Sequence, residues 1–437
     1  MYICFTKRKR LKNIKNLLNG FLSRAGSYIF LATIIARVSN FLVHLIVLYF
    51  IPKDRLGIVI YAYSFIAFLL PISGLGIQQS LVRYGARLSS DKEKKELFKY
   101  VLKKGLQLNL LFVFLLIPFA YLYPFKFETA RFYFLILTLS LIPHFLLLLI
   151  EIYFRLFYKN KIYAKLEISY SIVFLVLTVI STYFFREKGY VFAIIISPLL
   201  IFSYYFFRFV KLEQTKIIKP SFVNWSFWKY GFFAGLSYVA TVFLFEIDKI
   251  LIGNLLQNPT KVTIYGYVAL IPMSLLFLPR ILMTADFVYV TENITDKKYI
   301  LNYIKTYISI FSFISLGILL VNGIFSKYIL FFLFGEAFTN YTSTFIVLTF
   351  GVTGILILRG LFGNLLSAIG KAELNFVIAL IAIVINIFSN YYFIPKFGIL
   401  GAAITSAILM WFTGILSCLL FFIYYRKMLK EKSTFTS

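Results

Sequence analysis

The side chains of this 437-residue sequence that suggest chemistry are charges set inside apolar stretches. Arg37, Arg280 and Arg359 each lie within a long apolar run, and Glu246, Asp248 and Lys249 stand together in another. A charge at the centre of a bilayer costs about 2.5–3.5 kcal/mol on insertion scales, so it normally faces a cavity or a partner. Glu246 and Lys249 have the i,i+3 spacing at which helix neighbours satisfy each other. Asp248 then needs a partner on another helix, or it serves to couple transport to an ion. Neither Arg37 nor Arg280 has an acidic residue three or four positions away, although Asp286 follows Arg280 at some distance. Unbalanced positive charge in such surroundings suits an anionic ligand, and guanidinium groups fork onto phosphate oxygens. Arg37, Arg280 and Arg359 are therefore candidate substrate-binding residues. His44 joins them because it lies two turns beyond Arg37, on about the same helix face. Glu151 and Arg155, four apart, are expected to form a structural salt bridge.

Other chemistries find little material. The only histidines are His44 and His144, and the only cysteines are Cys4 and Cys418, so no metal site, disulfide framework or cofactor is expected. A net charge of +28 raises the question of nucleic acid. The basic residues, however, sit in short segments between apolar runs rather than on a water-exposed fold, and no nucleic-acid partner is expected.

The elements that must position these charges are membrane helices. The composition is 61% hydrophobic and only 14% charged, with a mean hydropathy of +0.87. A crossing helix needs about 20 mostly apolar residues. The apolar runs predict an all-α integral membrane protein with twelve transmembrane helices, at 24–51, 57–81, 105–124, 131–156, 167–186, 189–210, 230–256, 263–290, 302–325, 341–369, 374–395 and 398–425. Ser326–Asn340 reads as a short amphipathic piece at an interface or as an extension of the ninth helix. Lys7, Arg8, Lys9 and Arg10 precede an apolar stretch far longer than a signal-peptide core, so the first helix is expected to stay as an anchor.

Orientation follows from the positive-inside rule. With the N-terminus placed in the cytoplasm, 32 of the 45 Lys and Arg fall in the cytoplasmic segments and nine in the opposite loops. Both ends are thus expected inside. The organisation is a basic segment at 1–23, a six-helix lobe at 24–210, a linker at 211–229, a second six-helix lobe at 230–425 and a basic tail at 426–437. A faint echo links the halves: Tyr61-Ala-Tyr63 follows Pro52, and Tyr265-Gly-Tyr267 follows Pro259. Two halves that both start inside would form a parallel repeat. Gly231 and Gly235 have the spacing that lets helices approach closely. Pro118, Pro143, Pro198, Pro272 and Pro279 predict kinks within helices.

Several stretches together carry a resemblance. They include Ala36-Arg37-Val-Ser-Asn40-Phe41-Leu42, Gly74-Leu-Gly76-Ile-Gln-Gln-Ser-Leu-Val-Arg83-Tyr84-Gly85-Ala86 and Ile247-Asp248-Lys249-Ile250-Leu251-Ile252-Gly253, which is followed by Ile264-Tyr265-Gly266-Tyr267. The longest runs from Gly370-Lys371-Ala372-Glu373 through Asn386 and Asn390 to Ile394-Pro395-Lys396-Phe397-Gly398-Ile399-Leu400-Gly401-Ala402-Ala403. From about residue 20 to 425 the chain resembles the polysaccharide biosynthesis flippases, the O-antigen or repeat-unit translocases of the multidrug/oligosaccharidyl-lipid/polysaccharide (MOP) exporter superfamily.

The resemblance implies a MATE-like fold of two six-helix lobes around a central cavity that opens alternately to each side. It implies, as substrate, a polyprenyl-diphosphate-linked oligosaccharide moved from the cytoplasmic to the periplasmic leaflet of a bacterial or archaeal inner membrane. Membrane lipids, and a polysaccharide polymerase or other assembly proteins, are the expected partners. Of the cationic candidates, Arg37 falls on a stretch that carries the resemblance, whereas Arg280 and Arg359 come from burial alone. A multidrug exporter of the same superfamily is the nearest rival, but its cationic ligands would favour acidic cavity residues. A membrane polymerase or ligase would need a large outer loop with catalytic groups, and none is present, so no enzymatic activity is expected.

Overall fold

The computed structural model describes residues 26–210, 223–279 and 290–435. Arg280 lies outside the described residues, as does most of the expected linker at 211–229. The described residues form helices and no strands. The elements are α1 (Gly26–Phe50), α2 (Lys53–Ala67), α3 (Ile77–Gly85), α4 (Asp91–Leu122), α5 (Ala130–Thr138), α6 (Leu141–Leu156) and α7 (Asn160–Phe209). They continue as α8 (Trp225–Leu256), α9 (Pro259–Ser274), α10 (Lys297–Phe334), α11 (Thr342–Gly354), α12 (Gly360–Ala368), α13 (Glu373–Phe397) and α14 (Ile399–Phe435). Among the described residues, ten helices or helix pairs are long and apolar enough to cross a membrane. The 32-residue α8 is a further long helix.

Several helices depart from the boundaries that hydropathy alone predicts. The third begins at Asp91 rather than near 105, so much of the basic segment before it is helical. Ser90 caps this start by accepting from the Lys92 amide at 3.3 Å, and Asp91 and Glu93 favour the positive end of the helix dipole. The ninth is a single 38-residue helix, α10. It absorbs Ser326–Phe334, so the interfacial piece expected there is the end of a longer helix, stopped by Gly335 at φ +92°. Helices five and six are both contained in α7, whose 50 residues reverse direction at Arg186 (φ 51°, ψ −129°). The two arms approach so closely that a Cβ on Gly189 would lie 1.9 Å from the Ser181 carbonyl oxygen. The Ser181 hydroxyl closes the turn by donating to the Gly189 carbonyl at 2.8 Å.

The second helix breaks at a bend that holds Pro71, a proline absent from the kinks expected above. Between α2 and α3 a 3₁₀ segment, Leu70–Gly76, contains three successive residues in left-handed conformation: Gly74, Leu75 and Gly76. Glycine at the outer two accepts this geometry without a Cβ penalty. The break frees backbone groups, and the Gln78 amide donates to the Pro71 carbonyl at 2.7 Å. Gly76 also meets the Gly231xxxGly235 face, since a Cβ there would lie 2.2 Å from the Gly231 carbonyl oxygen. The small-residue spacing thus brings backbones together here.

The chain forms two compact units that do not follow the order of the sequence. The first holds Met1–Pro52, Leu69–Pro124 and Thr129–Val239; the second holds Lys53–Phe68, Phe125–Glu128 and Ala240–Ser437. In the first, Phe98, Phe145, Tyr153, Phe154 and Phe227 belong to one apolar core. In the second, Tyr307, Phe311, Phe362, Phe421 and Tyr425 belong to another. The second unit takes α2 because α2 packs along α9, with Gly57 directly against the Pro259 carbonyl.

Candidate functional site

In the second unit Asp248, 2% exposed in the later part of apolar α8, stands at the centre of a buried polar shell. One carboxylate oxygen, Oδ1, accepts from Asn390 Nδ2 at 2.8 Å and Asn386 Nδ2 at 3.2 Å. The other, Oδ2, accepts from the Tyr265 hydroxyl at 2.5 Å and from the Ser406 hydroxyl. Four helices supply this shell: α8, α9, α13 and α14. Asn386 and Asn390 are one turn apart on α13, so helical spacing aims both at the same carboxylate. All four partners are neutral donors, and among the described residues no Lys or Arg contacts Asp248. The partner expected on another helix therefore exists, but it is an array of neutral groups rather than a cation.

Two further buried oxygens belong to the residues around this shell, Asn390 Oδ1 and Thr405 Oγ1, and neither has a hydrogen-bond partner. A carboxylate buried in a membrane helix and held only by neutral donors is a candidate for binding a proton or a monovalent cation. Lys249, beside Asp248 in sequence, turns away to pair with Glu246, with Nζ 2.5 Å from Oε2. That pair is self-contained on one helix.

Arg359 occupies a different corner of the second unit. It ends a π-helical turn, Ile355–Arg359, that joins α11 to α12. Such turns shift a helix face locally and recur at functional sites. Its Nη1 donates to Asn375 Oδ1 at 2.8 Å and to Ser417 Oγ at 2.5 Å. Asn375 is held in turn by donating to the Gly363 carbonyl at 2.9 Å. A Cβ on Gly363 would lie 3.3 Å from Asn375 Oδ1 and 3.5 Å from Arg359 Nη1, so the position packs closely against this pair. Among the described residues, the guanidinium is oriented by neutral acceptors through Nη1 alone. A guanidinium oriented by neutral groups is suited to an anion.

Arg37 and His44 belong to the first unit, on α1, where Arg37 is exposed and His44 half-buried. Arg37 has an opposite-charge neighbour that its own helix does not reveal: Glu167, on the first arm of α7. Glu151, on α6, has both the like charge of Glu167 and the opposite charge of Arg155 as electrostatic neighbours. The salt bridge expected between Glu151 and Arg155 does not form. Arg155 lies over the Tyr163 ring, 5.9 Å from its centroid. The structure therefore places Asp248 and Arg359 in one unit and Arg37 and His44 in the other.

Hydropathy and charge spacing overlooked Glu167, Asn375, Ser406 and Ser417. Asn386, Asn390 and Tyr265 stood in the stretches that carried the resemblance, but with no role attached to them. A sequence signal existed for the asparagines: two amides one turn apart in an otherwise apolar membrane helix.

The geometry has relatives among known proteins. An inward-facing multidrug resistance MATE family transporter of the MOP superfamily superposes with a TM-score of 0.68 at 15% identity, covering 91% of this chain and 96% of that one. The lipid II flippase MurJ, in an inward closed conformation, matches with a TM-score of 0.68 at 18% identity, over 90% of this chain and 86% of that one. A MOP superfamily transporter from Pyrococcus furiosus gives 0.65 at 16% identity, over 93% and 96%. At these identities the likeness concerns the fold, which is that of the MOP transporters. No curated protein matches the sequence. The family described as "Polysaccharide biosynthesis protein" matches residues 22–285, more than half of the chain, and the chain belongs to that family.

Proposed function

We propose that the chain is a flippase that moves a polyprenyl-diphosphate-linked oligosaccharide, such as an O-antigen, capsule or exopolysaccharide repeat unit, from the cytoplasmic to the periplasmic leaflet by alternating access. The observation that carries this reading is Arg359: a guanidinium within a membrane helix, oriented by the neutral Asn375 and Ser417 and, among the described residues, paired with no carboxylate. A diphosphate supplies the missing negative charge, and Arg37 and Arg280 are assigned to the same task. The sugar head needs a polar route, while the prenyl tail can remain in lipid. Asp248, in its shell of neutral donors, is assigned to ion coupling, and Glu246–Lys249 to structural pairing. The fold and family support this reading as a MOP transporter; twelve helices in two lobes, with both termini in the cytoplasm of a prokaryotic inner membrane, belong to the proposal. Polysaccharide-assembly proteins such as a polymerase are its natural partners.

The test is reconstitution into liposomes with a fluorescent polyprenyl-diphosphate sugar. Losing a charge-assisted hydrogen bond costs about 1.5–3 kcal/mol. Arg359→Ala and Arg37→Ala are therefore each expected to slow translocation at least about tenfold, with Arg359→Lys intermediate. Unchanged rates in both alanine variants would overturn the anion-binding role. Transport of lipophilic cations in place of the diphosphate lipid would favour a multidrug exporter instead.

A further inference from the structure

Two of the basic residues that the charge alternation assigns to the outer loops, Lys53 and Lys261, converge on one short segment of the second unit. They follow the two prolines of the internal echo, Pro52 and Pro259. Lys53 is the first residue of α2 and Lys261 the third of α9. The two helix starts are held together: the Thr263 hydroxyl donates to the Lys53 carbonyl at 2.6 Å, and Gly57 packs against the Pro259 carbonyl. Against them lies a 3₁₀ segment, Glu336–Tyr341, between α10 and α11. Lys53 Nζ stands 5.1 Å from the centroid of the Phe338 ring. Lys261 Nζ donates to the Tyr341 hydroxyl at 2.8 Å. Phe338 and Tyr341 are one full turn apart in a 3₁₀ helix, so they share a face, and both ammonium groups reach it.

This arrangement is electrostatically costly as it stands. The first turn of a helix is its positive end, where a cation is disfavoured, and here two such turns each carry a lysine. Outer loops of membrane proteins are poor in Lys and Arg, so topology does not account for the pair. Asp54 follows Lys53 and Glu336 opens the 3₁₀ segment, but both are exposed. Among the described residues neither lysine forms an ion pair. Their partners are an aromatic ring and a phenol oxygen, which orient an ammonium without neutralising it. An ammonium has three donors, and Lys261 spends one of them on Tyr341. Both lysines are half-buried, so water screens them only in part. Two such cations suit an anion with several oxygens, a phosphate or diphosphate group.

We propose that Lys53 and Lys261 form an anion site at the outer end of the second unit, which receives the diphosphate group of the lipid-linked substrate once it has crossed. The ligand rests on the flippase reading, and the side on the assigned topology. The site is distinct from that of Arg359, whose partners come from α13 and α14. A phospholipid phosphodiester brings a single charge to the pair, whereas a diphosphate joining a prenyl chain to a sugar brings one on each phosphorus and so matches both ammonium groups. Partial exposure keeps the attraction modest. The anion is held on the delivered side without being trapped there.

The experiment is lysine footprinting on the full chain in phosphatidylcholine nanodiscs. Acetylation by an amine-reactive ester is followed at each lysine by peptide mass spectrometry, with and without farnesyl diphosphate. Exposed Lys327, on α10 of the same unit, is the internal control. The probe is expected to slow acetylation of Lys53 and Lys261 together by about tenfold, the worth of one charge-assisted hydrogen bond, and to leave Lys327 unchanged. Lys53→Gln should remove the protection of Lys261, and Lys261→Gln that of Lys53, while Lys→Arg at either position should keep it. Two lysines that merely pin the 3₁₀ segment would be modified independently of each other and of the probe. The wild-type footprint needs no variant to fold, so it decides the matter by itself. If phosphatidylglycerol nanodiscs protect both lysines fully and farnesyl diphosphate adds nothing, the ligand is a phospholipid headgroup and the substrate assignment is overturned. Calorimetry with the same probe on wild type and Arg359→Ala separates the two readings. Unprotected lysines beside Arg359-dependent binding would sink the outer site and leave the flippase reading standing. A wild type that neither binds the probe nor protects its lysines would remove both.

Discussion

At the scale of single residues, the charges inside the membrane helices differ in how they are satisfied, and that difference separates their roles. Lys249 closes onto Glu246 within one helix turn and leaves nothing over. Asp248 is held by four donors from three other helices, so its replacement reaches well beyond α8. An asparagine there presents one acceptor oxygen and two donor hydrogens where the shell expects acceptors only. Asp248→Asn is expected to lower stability by about 1–3 kcal/mol, the penalty for leaving buried donors unpaired. Thermal unfolding in detergent reads this directly. Arg359 is the reverse case, a charge oriented by neutral groups but not balanced by them. Arg37 stands between the two, with a carboxylate neighbour that an anionic ligand would have to outbid.

At the scale of elements, close backbone packing makes a sharp prediction. A Cβ on Gly57 would lie 1.8 Å from the Pro259 carbonyl oxygen, and backbone cannot turn aside as a side chain can. Gly57→Ala is expected to cost about 1–3 kcal/mol, as overpacking usually does. Gly317→Ala, in α10 with nothing within 4 Å of its Cβ, is expected to leave the unfolding temperature unchanged or raised. The helices themselves were legible because their signal is local: an apolar run and a flanking charge are read from neighbouring residues. The breaks were less legible. Some proline kinks were foreseen, but the reversal at Arg186 and the π turn before Arg359 involve no proline, and the left-handed run at Gly74, Leu75 and Gly76 follows a proline, Pro71, that was not singled out. Each depends on what another helix presses against it. The same limit applied to the site. Arg37 and Asp248 announced themselves as charges in apolar runs. Their partners Glu167, Asn386, Asn390 and Ser406 come from distant helices, and one chain without tertiary contacts does not pair them.

At the scale of the whole molecule, the charge alternation predicts which face each loop occupies. In a background lacking Cys4 and Cys418, Lys92→Cys and Lys188→Cys are expected to react with an impermeant maleimide from opposite sides of intact cells. Lys188, at the exposed turn of α7, should label from outside, and Lys92, at the exposed start of α4, only after permeabilisation. Labelling of both from one side would reverse the assigned topology. The division of the chain also bears on how the protein is made. The second unit includes Lys53–Phe68, yet its other helices begin only at Ala240. At synthesis rates of about 5–20 residues per second, α2 therefore leaves the ribosome roughly 10–40 s before the α9 surface it packs along exists. During that interval its small-residue face at Gly57 is open to lipid or to a wrong neighbour. A chain severed in the loop between α7 and α8 would strand α2 on one fragment and its docking partner on the other, so the two halves could assemble only by exchanging a helix across the cut.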